Sequence, residues 1–195
     1  MNANPLPDRY LITPEPACAN ELAAFMTRLA QALSSGVRLV QLRAKRLSPE
    51  AYVCLAADAL RLCREHGARL ILNPPAAARL VGLAGIEADG IHLSSVRLIT
   101  CRARPVGPDR LLSAACHNRE QLLHADRIGA DLVTLSPVLP TASHPEATPL
   151  GWEGFAELVR AAQVPVYALG GMETQHLPRA KEAGAQGIAA IRGLW

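Results

Sequence analysis

The sequence predicts a single (β/α)₈ TIM barrel, and three observations lead to that prediction. Short apolar segments typical of buried strands alternate with longer segments whose apolar residues recur at the helical period. Eight strand segments occur, and eight parallel strands close into a barrel more readily than they form an open sheet of this length. No glycine-rich dinucleotide fingerprint follows the first strand, which disfavours the alternative of a doubly wound sheet.

The elements follow one another in a regular order. The predicted strands are Tyr10–Thr13, Leu39–Leu42, Arg69–Leu72, Gly90–His92, Leu111–Ala114, Leu132–Leu135, Val166–Leu169 and Gly187–Ile191. The predicted helices between them are Glu21–Leu33, Pro49–His66, Ala76–Leu83, Arg119–Arg127, Trp152–Ala162 and Thr174–Ala183. A fourth helix is expected to be short or absent, since residues 94–110 hold four arginines and two prolines.

Local signals mark where these helices begin and end. Ser48 before Pro49 combines a capping hydroxyl with a residue whose φ is already helical, so a helix is expected to begin there. The glycines placed just after a predicted helix, where a left-handed residue can end it, are Gly36, Gly67, Gly129 and Gly184. Four residues follow the last strand, so no complete eighth helix is predicted. We expect a neighbouring subunit or a further domain to cover the apolar strand surface left open.

Composition favours one globular domain that binds small molecules. The chain has 195 residues and 50% of them are hydrophobic, so residues 9–195 are predicted to form the barrel and residues 1–8 a linker. The net charge of +3 indicates neither a nucleic-acid partner nor a membrane surface. The five cysteines form no CxxC pair, and the sequence shows neither a leader nor a long apolar run. These features predict a protein of the reducing cytoplasm.

Polar residues just beyond the strands are the first candidates for a site, because active sites of such barrels lie at the carboxyl ends of the strands. Arg43 and Lys45 could bind a phosphate or diphosphate through a guanidinium fork and an ammonium group. Gly170-Gly171, with Arg192 after the last strand, would form a phosphate cradle. The alternative for Lys45 is a solvated loop residue without a ligand. The alternative for Gly170-Gly171 is a plain turn between a strand and a helix.

Two further segments carry candidate residues. The long proline-rich loop after strand six contains Thr141, Ser143 and His144, and loops of this length often cover or bind ligands. His117, after strand five, is a candidate general acid or base, with a capping or packing role as the alternative. No carboxylate appears among the polar residues at the strand ends, so no Mg²⁺ site is predicted, and no Cys/His spacing indicates zinc.

Several segments carry a family resemblance: VQLRAK, LILN, ADGIHL, CHN, GADLVTLSPVLPTAS, and the closing pair VYALGGM and AGAQGIAAI. In this order they resemble the motifs of the thiamine phosphate synthase and TenI superfamily over essentially the whole chain. In synthases of that family a pyrimidine diphosphate ionises on Mg²⁺ and a thiazole phosphate captures the carbocation. The resemblance implies a pyrimidine-diphosphate side made of Gln41, Arg43, Lys45 and Asn73, and a thiazole-phosphate side that includes Thr141, Ser143 and Gly171.

Five positions depart from the family pattern. Pro74 and Arg97 stand where the family has its two metal-binding aspartates. Ala115, His144 and Arg192 replace a serine, a lysine and a serine. Because a carbocation mechanism needs a metal to neutralise the leaving diphosphate, these losses predict a chain that uses no Mg²⁺ and is not an efficient synthase.

The resulting prediction is a barrel of thiamine metabolism that binds a phosphorylated thiazole or a relative of it. A TenI-type tautomerase, with His117 as the acid or base, is favoured over a true thiamine phosphate synthase, which is one alternative. The other alternative is a non-catalytic accessory module, because similar barrels with an SPVLPTASHP loop and an IRGLW end occur in fusions with Nudix (MutT) hydrolases. The expected partners are a small phosphorylated molecule and either a second copy of the chain or a Nudix domain.

Overall fold

A computed structural model describes residues 5–16, 21–75, 85–142 and 145–195. The strands are β1 (Arg9–Ile12), β2 (Leu39–Arg43), β3 (Arg69–Asn73), β4 (Gly90–Leu93), β5 (Leu111–Cys116), β6 (Leu132–Leu135), β7 (Val166–Leu169) and β8 (Gly187–Ala190). Each strand pairs in parallel with the next, and β8 pairs with β1, so the sheet closes into a barrel. The predicted TIM barrel is confirmed, and each predicted strand is found within about two residues of its predicted ends.

The helices in the described ranges are α1 (Leu22–Ser34), α2 (Pro49–Glu65), α3 (Ser95–Thr100), α4 (Arg119–Arg127), α5 (Gly151–Ala161) and α6 (Leu177–Glu182). α3 is the short helix expected between β4 and β5. The last predicted helix is divided, because Thr174–His176 form a 3₁₀ turn and Pro178 lacks the N–H that would bond back to Thr174. The predicted helix Ala76–Leu83 lies outside the described residues.

The predicted helix boundaries have their expected local chemistry. The Ser48 side chain accepts a hydrogen bond from the Ala51 N–H at 3.2 Å, so it caps α2 ahead of Pro49. All the glycines predicted to end helices have positive φ, with values of 95° at Gly36, 63° at Gly67, 74° at Gly129 and 89° at Gly184. The helix-stop signals in the sequence are therefore confirmed.

Alternate strand residues build two packed layers. Inside the barrel, the rings of Tyr10 and Tyr167 meet edge to face with their centroids 5.4 Å apart, among other buried apolar residues. The next residue along β1, Leu11, instead belongs to the layer between barrel and helices, where it is buried with Phe25 and Leu29 of α1. The two-residue period of the strands thus separates a filled interior from the helix-facing core.

The first and the last of the described residues pack against the rest of the barrel. The carbonyl of Leu6 accepts a hydrogen bond from the Gln186 amide at 2.7 Å, and the carbonyl of Pro7 accepts one from the Tyr167 hydroxyl. The Trp195 ring lies against Phe25 of α1, with ring centroids 4.9 Å apart. The domain boundary at residue 9 and the covering partner stay predictions. No helix within the described ranges is both long and apolar enough to cross a bilayer.

Candidate functional site

The carboxyl ends of the strands, with the residues that directly follow them, form the mouth of the barrel. All but one of the predicted binding and catalytic residues that the structure describes lie at these strand ends: Gln41, Arg43, Lys45, Asn73, His117, Gly170, Gly171 and Arg192. The exception is Thr141, which lies six residues beyond β6 in the long loop. Ser143 and His144 lie outside the described residues. The roles of these residues stay predictions, but their placement follows from the topology of the barrel.

Gln41 and Asn73 lie together on the floor of the mouth. The Asn73 amide donates to the Gln41 carbonyl oxygen at 2.8 Å, and both side chains are buried. Gln41 in turn donates to the hydroxyl of Tyr10 at 3.0 Å. The network continues through Ser113, whose hydroxyl lies 3.3 Å from that of Tyr10 and 2.8 Å from Nδ1 of His92. Five strands are thereby joined by side-chain hydrogen bonds across the barrel.

The hydrogen-bond network around His92 suits a neutral imidazole. If Tyr10, which accepts from Gln41, gives its proton to Ser113, then the Ser113 proton is available to Nδ1 of His92. Nδ1 is then an acceptor and the imidazole is neutral, with its proton on Nε2. Burial, together with the charges of Lys45 and Arg97, lowers the pKa of His92 to about 3 and favours the same state. Burial also raises the pKa of Tyr10 to about 12.

Above this floor, a cationic cluster surrounds one carboxylate that the sequence analysis did not identify. Glu15, in the loop after β1, accepts from a guanidinium nitrogen of Arg43 at 3.2 Å and from the backbone N–H of Arg46 at 2.7 Å. Lys45 lies beside Arg46 in the turn after β2. Its pKa is lowered by burial and, to a smaller extent, by the charge of Arg43. The positive charges therefore repel one another, and Glu15 offsets part of that repulsion.

Arg97 adds a further cation to this side of the mouth. It belongs to α3, and its two terminal nitrogens donate to the carbonyls of Pro74 at 3.1 Å and Pro75 at 2.7 Å. These prolines directly follow Asn73, which lies opposite Arg43 in the β2–β3 register. Partial burial lowers the pKa of Arg97, whose charge in turn lowers the pKa of Lys45. From the sequence, Arg97 stands at the position of a family metal ligand and could supply positive charge there, but its hydrogen bonds to Pro74 and Pro75 were not predicted.

The opposite side of the mouth is built by close backbone packing. Gly170 and Gly171 have φ of 98° and 67°. A Cβ on Gly171 would lie 2.8 Å from the Pro140 carbonyl oxygen, and one on Gly170 would lie 2.9 Å from Cα of Pro137. The glycine pair therefore lets the loop after β6 pack onto the end of β7. Beside it, Arg192 lines an open depression of about 450 Å³ between the loops after β7 and β8.

His117 is exposed at the end of β5. Its Nδ1 lies 2.9 Å from the carbonyl oxygen of Ser136, and a carbonyl can only accept, so Nδ1 carries a proton. In the neutral ring the lone pair is then on Nε2, the form a general base requires. The backbone N–H of His117 donates to Gln121 at 2.7 Å, so the residue also takes part in the local turn before α4.

The fold and the cationic mouth define a TIM barrel with a candidate anion site at its strand ends. Residues 9–194 match the family described as Thiamine monophosphate synthase. The chain belongs to that family, and the resemblance inferred from its motifs is confirmed.

Known proteins agree with this assignment. The chain is 34% identical over 186 residues to "Putative thiamine-phosphate synthase 2" of Aquifex aeolicus (strain VF5), covering 95% of this chain and 96% of that protein. It is 34% identical to "Thiamine-phosphate synthase" of Synechococcus sp. (strain WH7803), covering 95% of this chain but 52% of that relative, so it spans about half the length of that protein. Thiamine phosphate pyrophosphorylase of Pyrococcus furiosus has a similar fold, with a TM-score of 0.74, 24% identity and coverage of 94% and 85%.

These comparisons correct two predictions. The expectation that no Mg²⁺ takes part is wrong, because the relatives are named thiamine-phosphate synthases, a family that uses Mg²⁺. The names also favour the synthase alternative over the tautomerase. The prediction failed because it required a set of protein carboxylates, whereas Mg²⁺ is usually held by one or two carboxylates together with substrate phosphates. Glu15 is a carboxylate that the described mouth can offer.

Proposed function

We propose that the chain is a thiamine-phosphate synthase that joins a pyrimidine diphosphate to a thiazole phosphate. The observation that carries the proposal is the arrangement of the mouth. Buried amides lie beside Arg43 and Lys45 on one side, and the Gly171 turn with Arg192 lies on the other. Such an arrangement suits two phosphorylated substrates bound next to each other, with the cations at their anionic groups.

In the proposed reaction, the bond between the pyrimidine methylene carbon and the diphosphate oxygen breaks. The diphosphate leaves with the electron pair, and the thiazole nitrogen donates its lone pair to the methylene carbon. Arg43 and Lys45 hold the diphosphate and stabilise the charge that develops on it. The Gln41–Asn73 pair, fixed by its 2.8 Å hydrogen bond, orients the pyrimidine ring.

Magnesium, when bound, neutralises charge on the leaving diphosphate. In this chain Glu15 would hold it, with diphosphate oxygens as the other ligands. Both Glu15 oxygens already accept hydrogen bonds, from Arg43 and from the N–H of Arg46. The carboxylate is therefore held in place before any substrate arrives.

The proposal is tested by incubating the protein with both substrates and Mg²⁺ and measuring thiamine phosphate. Lys45→Gln should lower kcat/KM at least tenfold, since it removes a charge at the diphosphate. Lys181→Gln is the matched control, because Lys181 lies 3.5 Å from Asp8 near the start of β1, away from the mouth. Absence of product from folded wild-type protein, or equal rates for the two variants, would refute the assignment.

A second candidate activity is a TenI-type thiazole tautomerisation, and the geometry of His117 favours it. With Nδ1–H bonded to Ser136, the free Nε2 can take a proton from the thiazole and return it at another atom. His117→Gln should abolish tautomerase turnover while leaving thiazole phosphate affinity within a few-fold. Unchanged turnover would exclude the role, and a variant that loses only synthase activity would assign His117 to the main reaction.

A further inference from the structure

We propose that Arg97 is a third cationic ligand of the diphosphate and that it makes the site selective for diphosphates over monophosphates. The inference rests on the proposed function for the placement of the diphosphate beside Arg43 and Lys45. Its own basis is the position and the unused hydrogen-bonding capacity of the Arg97 guanidinium.

The guanidinium is held in a fixed place. Its two terminal nitrogens donate to the successive carbonyls of Pro74 and Pro75, at 3.1 and 2.7 Å. A guanidinium has five N–H donors, so these two bonds leave three for other acceptors. Because two carbonyls already orient it, little side-chain entropy is lost when a ligand binds.

That fixed place lies next to the predicted diphosphate ligands. Pro74 and Pro75 continue the chain from Asn73, whose partner across the β2–β3 register is Arg43. The charge of Arg97 lowers the pKa of Lys45 and of the buried His92, so it acts on the floor and on the rim of the same mouth. His92 contributes no charge of its own, because it is neutral.

The arrangement explains why a diphosphate would be preferred. Arg43, Lys45 and Arg97 repel one another, and within this cluster Glu15 is the described carboxylate that pairs with Arg43. A monophosphate is short enough to be bound by Arg43 and Lys45 of the β2 turn alone. A diphosphate is longer and carries more charge than a monophosphate. Its second phosphate therefore requires Arg97, the cation held at the carbonyls that follow β3.

The test measures binding rather than turnover, so its outcome is separate from that of the synthase assay. Inorganic pyrophosphate and inorganic phosphate are titrated calorimetrically into wild-type protein and Arg97→Gln, with and without Mg²⁺. We expect Arg97→Gln to weaken pyrophosphate binding at least tenfold in both conditions and phosphate binding less than threefold. Arg97→Lys should recover part of the loss, and Arg102→Gln, an exposed residue in the segment after α3, serves as the control.

Two outcomes would overturn the proposal. One is unchanged pyrophosphate affinity in Arg97→Gln. The other is an equal loss for both anions, because a residue that only holds the Pro74–Pro75 turn would affect both ligands alike. If Arg97→Gln does not fold, the side-chain NMR signals of Arg97 in the wild-type protein are followed during a pyrophosphate titration. The signals are assigned as those that disappear in Arg97→Lys. A saturable shift of those signals supports the proposal, and no shift refutes it.

Discussion

The buried His92 gives the protein a specific dependence of stability on pH. Its folded-state pKa of about 3 lies far below the ordinary value of 6.5, so the unfolded chain takes up a proton that the folded chain excludes. The stabilisation is therefore fully present above pH 6.5 and is lost as the pH falls from there toward 3. Between pH 7.5 and pH 5.0, the free energy of unfolding falls only over the 1.5 pH units that lie below 6.5. At roughly 1.4 kcal/mol per pH unit, the expected loss is about 2 kcal/mol.

The measurement is urea unfolding of wild-type protein and His92→Gln at pH 7.5 and pH 5.0. The glutamine amide can still accept from Ser113, and the other histidines are common to both proteins, so their contributions cancel. We expect the wild-type free energy of unfolding to fall by about 2 kcal/mol more than that of the variant. Equal losses would refute the neutral assignment. If the variant does not fold, an NMR titration of His92 with a midpoint near pH 6.5 would refute it as well.

Other predictions follow from single contacts. Gly171→Ala should lower the free energy of unfolding by at least about 1–2 kcal/mol, because Gly171 has a positive φ and an added Cβ would lie 2.8 Å from the Pro140 carbonyl oxygen. The control Gly154→Ala in α5 should not destabilise the fold, and equal unfolding free energies for the two variants would contradict the prediction. Tyr10→Phe should cost about 1–3 kcal/mol in urea unfolding, because Gln41 loses an acceptor; a neutral effect would refute the network. Glu15→Gln should strengthen pyrophosphate binding without Mg²⁺ but reduce the gain on adding Mg²⁺, measured by calorimetry; an unchanged gain would remove Glu15 as a ligand.

The strands were predictable because two kinds of local information coincide. A parallel strand covered by helices is apolar on both faces, and glycines such as Gly67 and Gly129 end the preceding helices with positive φ. The last helix was less predictable. Its apolar residues Leu177, Ala180 and Ala183 recur at the helical spacing, but the missing N–H of Pro178 changes the turn before them to a 3₁₀ form. A proline at that position was the signal that could have been used.

The candidate site was predicted only in part, because its electrostatics depend on contacts between distant segments. Arg43 and Lys45 followed from their position after a strand. Glu15 lies three residues beyond β1 and pairs with Arg43 across 28 residues of sequence, so its role depends on the closing of the barrel. Arg97 reaches the carbonyls of Pro74 and Pro75 over similar separations, and the sequence alone indicated a lost carboxylate and a possible replacement charge, but not the contacts that hold the guanidinium.

The charge balance of the mouth reconciles its arginines with a reaction that uses Mg²⁺. Arg43, Lys45 and Arg97 against Glu15 leave two net positive charges at the proposed diphosphate position. A phosphate monoester carries up to roughly −2 near neutral pH, and a diphosphate ester exceeds this. The protein cations alone therefore leave negative charge on the leaving group, and a divalent ion supplies the remainder. In the proposed site Arg97 would replace a carboxylate without removing the need for the metal. It would neutralise the phosphate directly, while the Glu15 oxygens, which each accept one hydrogen bond, would still have lone pairs for the ion.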